Sequence, residues 1–186
     1  HQLLQGLRLP PQRAERLRGR DLYDRAKAET ALSEAQKAGD EALATALSVG
    51  LKIFPEQDYF ILHRRDKGGK TRLSPIVGPH KNQVIQRMKA TPKDEKVWQY
   101  VNTNCDVHGY RSDYASFLYK QCARPMETLD FHNKIRCADE KYRSEIYICR
   151  GSERGKQLDR RAVGIISIAL GHSREDTAIT NYIRNL

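Results

Sequence analysis

The feature that most limits this chain's fold is a hairpin signal at residues 58–77. Asp58-Tyr-Phe-Ile-Leu-His63 is aromatic and aliphatic, as strands prefer. The next stretch, Arg64-Arg-Asp-Lys-Gly-Gly-Lys-Thr-Arg72, is a polar turn containing two glycines, and Leu73 to Val77 returns as a short strand. Around this hairpin the pattern is helical. Residues 1–25 are dense in arginine and are expected as a helix broken by Pro10 and Pro11. From Ala26 to Val49, Leu32, Ala35, Leu43, Ala46 and Leu47 recur at helical spacing, and Gly39 divides them into a helix or helix pair. Asn82–Lys89 and Glu95–Val101 are expected as further helices, with a loop or helix start at 91–94.

A long helix is predicted from Asp106 or His108 to about Ala123, with Tyr114, Leu118 and Cys122 on one face, and Arg124-Pro125 ends it. Residues 126–159 are charged, with one apolar patch at Ile146-Tyr-Ile-Cys149 followed by a Gly-Ser-Glu-Arg-Gly loop. Arg160–Leu170 is a strong helix with Val163, Ile166 and Leu170 on one face, and Gly171 is its natural stop. Ser173-Arg-Glu-Asp176 is a capping-box pattern opening a last helix that carries Tyr182.

Charge narrows the class of partner. Of 186 residues, 33 are Lys or Arg and 23 are Asp or Glu, a formal net charge of +10. That excess favours a polyanion, because each phosphate neutralised releases condensed counterions. Ribosomal proteins, nucleases and membrane-surface proteins share such a composition. No apolar run approaches the roughly 20 residues that cross a bilayer, so no membrane partner is expected. The first residues lack a secretory pattern, and a cytoplasmic location is expected. Cys105, Cys122, Cys137 and Cys149 form no C-x-x-C pair and have no histidine at zinc spacing, so they read as buried or idle thiols.

Four pieces carry chemistry when taken together. His108-Gly-Tyr-Arg111 opens a helix, and at i, i+3 its two ends share a face and can reach one phosphate. The helix N-terminus adds its own preference for an anion. Ala169-Leu-Gly-His-Ser173 breaks a helix at the glycine and exposes His172 at the turn, and Tyr182 follows ten residues after that histidine. Lys67-Gly-Gly-Lys-Thr-Arg72 sets lysines in the hairpin turn, where the plainer reading is a basic surface against a nucleic-acid backbone. Gly6-Leu-Arg8, with Arg18 and Asp21 behind it, is the fourth, and its plainer reading is again a basic surface.

In this order the pieces resemble the tyrosine recombinase family, which includes phage and conjugative-element integrases. The matching segments are scattered along nearly the whole chain but cover about a third of it. The family's order of Arg, Lys, His-x-x-Arg, His and Tyr is kept by Arg8, Lys67, His108, Arg111, His172 and Tyr182. The departures are Pro10 and Pro11 in the first box, which leave Arg13 and Arg16 as alternatives to Arg8, and long spacings at 26–50 and 126–159 that read as two insertions.

The resemblance implies a mainly α fold with a small antiparallel β-sheet, an α+β catalytic domain spanning 1–186, and a DNA-grasping domain that lies outside this chain. It implies Tyr182 as nucleophile, Arg8 and Arg111 as guanidinium forks on the scissile phosphate, His108 as proton acceptor, Lys67 as general acid and His172 as a phosphate hydrogen-bond donor. Lys70, Arg72 and Arg174 stand beside these motifs as expected DNA contacts. Neither cofactor nor metal is implied. The implied partner is double-stranded DNA, bound by a homotetramer that is a monomer without it, in a bacterium, phage or mobile element. The alternatives are a DNA-binding relative with impaired catalysis, a type IB topoisomerase that relaxes supercoils, and a basic RNA-binding protein.

Overall fold

The computed structural model describes residues 16–64, 69–100, 106–137, 139–172 and 179. The chain is mixed α+β, with five α-helices and small antiparallel sheets among the described residues. None of these helices is long and apolar enough to cross a membrane. The chain divides into two compact units, His1–Val107 and His108–Leu186.

The first unit is built on a three-stranded sheet of β1 (Leu22–Asp24), β2 (Tyr59–His63) and β3 (Arg72–Pro75), in that spatial order and antiparallel throughout. The expected hairpin is therefore present as β2 and β3. Two helices, α1 (Arg25–Ala38) and α2 (Glu41–Ile53), stand in the chain between β1 and β2, although those strands are neighbours in the sheet. Both helices start on an aspartate that accepts from a backbone N–H three residues on: Asp24 from Lys27 at 2.7 Å and Asp40 from Leu43 at 3.0 Å. Gly39, at φ 70°, closes α1 in the left-handed conformation that glycine adopts without steric penalty.

Residues 61 and 62 point to opposite faces of the sheet, because strand side chains alternate. Leu62 lies across from Leu73, and Gly50 of α2 sits against that Leu73, so the α1–α2 hairpin covers this face. On the other face Ile61 joins a buried cluster with Leu22, Ile76, Val84, Ile85, Met88, Val97 and Trp98. Three of these come from α3 (Lys81–Ala90). Covering both faces explains why β2 is one continuous apolar run rather than an alternating one.

Two local expectations are corrected here. Residues 95–98 are a bent segment around one isolated bridge rather than a helix. Their backbone is spent sideways on the 17–20 segment, with Val97 N donating to Leu17 O at 2.9 Å, Gly19 N to Glu95 O at 3.3 Å and an Arg18–Lys96 bridge. For the same reason residues 16–24 are not the end of a helix but a bridge, a 3-10 turn (Gly19–Asp21) and β1. Gly19 is required there, since a Cβ would lie 2.2 Å from the Thr91 carbonyl oxygen.

The second unit contains α4 (Val107–Cys122) and α5 (Arg160–Leu170), with two antiparallel ladders in the chain between them: β4 (Lys134–Arg136) with β5 (Tyr142–Ser144), and β6 (Ile146–Ile148) with β7 (Gln157–Asp159). Arg111, Tyr114, Ala115 and Leu118 form the buried stripe of α4 at i, i+3, i+4 and i+7. On α5 the buried side chains are Ala162, Val163, Ile166, Ser167, Ala169 and Leu170. The strands at 134–159 lie outside the sequence expectations apart from the Ile146–Cys149 patch, because three residues are too few to establish a period.

Candidate active site

The C-terminus of α5 makes one half of the site. Gly171 takes φ 78°, its N–H donates to Ile168 O at 3.0 Å, and the next N–H, of His172, donates to Ser167 O at 2.8 Å. These two bonds close a Schellman cap, which satisfies helix carbonyls that would otherwise lack intrahelical partners. The cap also fixes where His172 leaves the helix. The Leu-Gly-His order is thus a local device: the glycine allows the reversal, and the histidine sits at its exit.

Arg111, in the second turn of α4, makes the other half. It is 8% exposed, and its NH2 donates to Leu170 O at 3.1 Å and approaches His172 Nε2 at 3.4 Å. The guanidinium therefore caps a helix C-terminus, where the aligned peptide dipoles place partial negative charge. A guanidinium has no acceptor, so a hydrogen bond from NH2 to Nε2 puts the imidazole lone pair on Nε2 and its proton on Nδ1. A half-buried histidine and a buried arginine, 61 residues apart in sequence, share one point in space.

The opposite ends of the same two helices are joined by an ion network. Arg124 follows α4 and donates from Nε (3.0 Å) and NH2 (2.9 Å) to the two carboxylate oxygens of Asp159, and from NH1 to Glu145 at 3.0 Å. Asp159 is also the N-cap of α5, accepting from Arg161 N at 2.9 Å, while its own N–H donates to the Tyr119 hydroxyl at 2.9 Å. Glu145 takes the Asp130 N–H at 2.8 Å. Both acids are buried, at 0% and 3% exposure, and a buried carboxylate must be paired or protonated. Burial pushes the Asp159 carboxyl upward, but the Arg124 hydrogen bonds and charge outweigh it and leave it below its ordinary value. For Glu145 the Asp130 N–H is the main cause of a lowered pKa, with Arg124 adding to it. Burial raises the Tyr119 phenol. The chain thus ties α4 and α5 antiparallel at both ends, with Arg124 to Asp159 at one and Arg111 to Leu170 and His172 at the other.

The remaining expected residues fall in three groups. His108 lies in the first turn of α4, three residues before Arg111. Lys70 and Arg72 belong to the first unit: Lys70 is exposed in the β2–β3 turn, and Arg72 pairs with His63 in the ladder, its Nε 3.3 Å from Ser74 Oγ. Arg8, Lys67, Arg174 and Tyr182 lie outside the described residues. Arg124, Glu145 and Asp159 were missed as site supports. The available signal was an aspartate immediately ahead of the α5 pattern, which reads as a cap, while its partner 35 residues earlier gives no local sign. No group of His, Cys, Asp or Glu among the described residues could hold a metal ion.

No known protein family, curated protein or solved structure matches this chain in the comparisons made.

Proposed function

We propose that this chain is the catalytic domain of a tyrosine-type site-specific DNA recombinase, which cuts and rejoins strands through a 3′-phosphotyrosyl link. The observation that carries the reading is the meeting of Arg111 with His172 at the end of α5. These are two of the residues that the sequence resemblance assigns to one phosphate, and they come from motifs far apart in the chain. The three-stranded sheet adds support, since the lysine-bearing turn falls between β2 and β3 and the helical pair 25–53 stands where the first insertion was expected.

In this reading the phosphate oxygens take hydrogen bonds from the Arg111 and Arg8 guanidiniums, whose planar forks match them bidentately. His172 donates its Nδ1–H to the phosphate while its Nε2 keeps the bond from Arg111. Tyr182 Oη attacks phosphorus and loses its proton to His108 as the bond forms. The P–O5′ bond breaks, and Lys67 protonates the departing oxygen. The phosphodiester energy is kept in the tyrosyl link, and a 5′ hydroxyl of a partner strand reverses the steps to join new ends. Catalysis is then mainly placement and charge neutralisation, as phosphoryl transfer requires. Assembly of a homotetramer on duplex DNA from monomers belongs to the same proposal.

The test is covalent trapping on a library of nicked duplexes that release the 5′ fragment. The wild-type chain is expected to leave a denaturant-resistant adduct on the peptide containing Tyr182, and Tyr182→Phe none. DNA binding without an adduct in either protein overturns the proposal in favour of a non-catalytic DNA-binding relative. An adduct accompanied by supercoil relaxation but no two-site recombination points to a type IB topoisomerase.

A further inference from the structure

We propose that the outer face of the β4–β5 hairpin is a docking surface for the sugar-phosphate backbone of double-stranded DNA, separate from the Arg111–His172 site. This inference rests on the strand-transfer reading above and adds a second contact to it. Register decides the face. Lys134 pairs with Ser144 and Arg136 with Tyr142, and directly paired residues lie on the same side of a ladder, as do residues two apart along a strand. Lys134, Arg136, Tyr142 and Ser144 therefore share one side, while Ile135 and Arg143 share the other.

The two sides differ in what they meet. Ile135 and Arg143 are half-buried, whereas Lys134 and Arg136 are exposed and Tyr142 is 68% exposed. A ring left in water at the turn end of a ladder is spare apolar surface, and here it stands directly across from the Arg136 guanidinium. The outer side carries two cations and a phenol and no aliphatic side chain, with Ser144 half-buried at its far end and its Oγ accepting from Ile146 N–H at 3.1 Å. That set suits phosphate oxygens and deoxyribose, not an apolar protein surface. The acids of the turn do not cancel it. Asp139 is engaged by both terminal nitrogens of Arg143, at 2.6 and 2.5 Å. Glu140 holds Arg136 at 3.2 Å in a pair whose side chains are 62% and 80% exposed, and such a pair contributes little, so a phosphate can replace the carboxylate. A two-stranded ribbon is also narrow enough to enter the DNA major groove, and the chain's net charge of +10 draws it towards a polyanion.

The test uses the intact chain and a fluorescent mixed-sequence duplex titrated across salt concentrations. The variant Lys134→Ala/Arg136→Ala is compared with Lys37→Ala/Lys52→Ala, which makes the same charge change on the α1–α2 pair. The first is expected to reduce the magnitude of the slope of log affinity against log salt by about 2, since each phosphate contact contributes roughly 0.9. The second is expected to leave the slope as in wild type. Tyr142→Ala should weaken binding several-fold with no slope change, and all variants should keep the wild-type unfolding midpoint. An unchanged slope in the hairpin variant, or equal loss in both double variants, overturns the proposal. A shift in sedimentation in place of a shift in slope overturns it too and makes the face a contact between copies of the chain. If wild type forms the Tyr182 adduct while the hairpin variant binds normally, only this inference fails. If wild type binds no duplex, the strand-transfer reading fails with it.

Discussion

Asp159 caps the first turn of α5 with the same carboxylate that receives the Arg124 fork from the end of α4. One side chain therefore starts a helix and fixes that helix to its neighbour. The other end of the pair is where Arg111 meets Leu170 and His172. Disturbing the first contact changes the angle between the helices, and with it the distance on which the second depends.

Arg124→Ala leaves a fully buried carboxylate without its cation. The expected loss is about 3 kcal/mol, the low end for breaking a buried pair, because Arg124 itself is partly solvated. Asp159→Asn keeps the shape and part of the cap and should lose less. Denaturant unfolding of both single variants and the double variant measures the coupling, and additive losses would show that the two side chains act independently.

Acid should unfold the second unit before neutral conditions do. Asp159 and Glu145 both have folded pKa values below their ordinary ones. Their contribution is therefore complete above the unfolded value, about 4, and is lost as pH falls through the folded values. The unfolding temperature of wild type is expected to drop steeply below about pH 4. Asp159→Asn should show a shallower drop, and an identical profile would remove Asp159 from the account.

Arg111→Lys removes a planar fork but keeps a charge. If the arginine grips a phosphate, strand cleavage should fall by at least about a hundredfold while DNA binding changes little, in line with the loss of one transition-state donor. Comparing adduct formation with duplex affinity reads both effects. Equal losses would leave Arg111 as a helix cap alone.

Lys67→Ala should recover cleavage when the 5′ bridging oxygen is replaced by sulfur, because a thiolate leaves without a proton. Rates on matched oxygen and sulfur substrates check this, and no recovery would shift the acid role to Lys70.

Gly50→Ala tests the first unit. Alanine is the better helix former, by about 1 kcal/mol, so an exposed site would gain stability. Here the new Cβ would lie 2.6 Å from Leu73 Cβ, so α2 must move off the sheet. The expected result is a net loss of about 1–3 kcal/mol, read from denaturant unfolding. A gain would mean that α2 is loosely seated.

Local chemistry alone determined much of this chain. The β2–β3 hairpin, the stop at Gly171 and the helices α1 to α5 were legible because caps, turn glycines and the 3.6-residue period act within a few residues of one another. So were the residues singled out for chemistry, as types in an order. Tertiary structure decided everything that needs a distant partner. The ladders at 134–159 and strand β1 are too short to show a period. Residues 95–98 are not a helix because their backbone bonds the 17–20 segment instead. That Arg111 reaches His172 across 61 positions, and Arg124 reaches Asp159 across 35, follows from two helices held antiparallel, a relation no stretch of sequence contains.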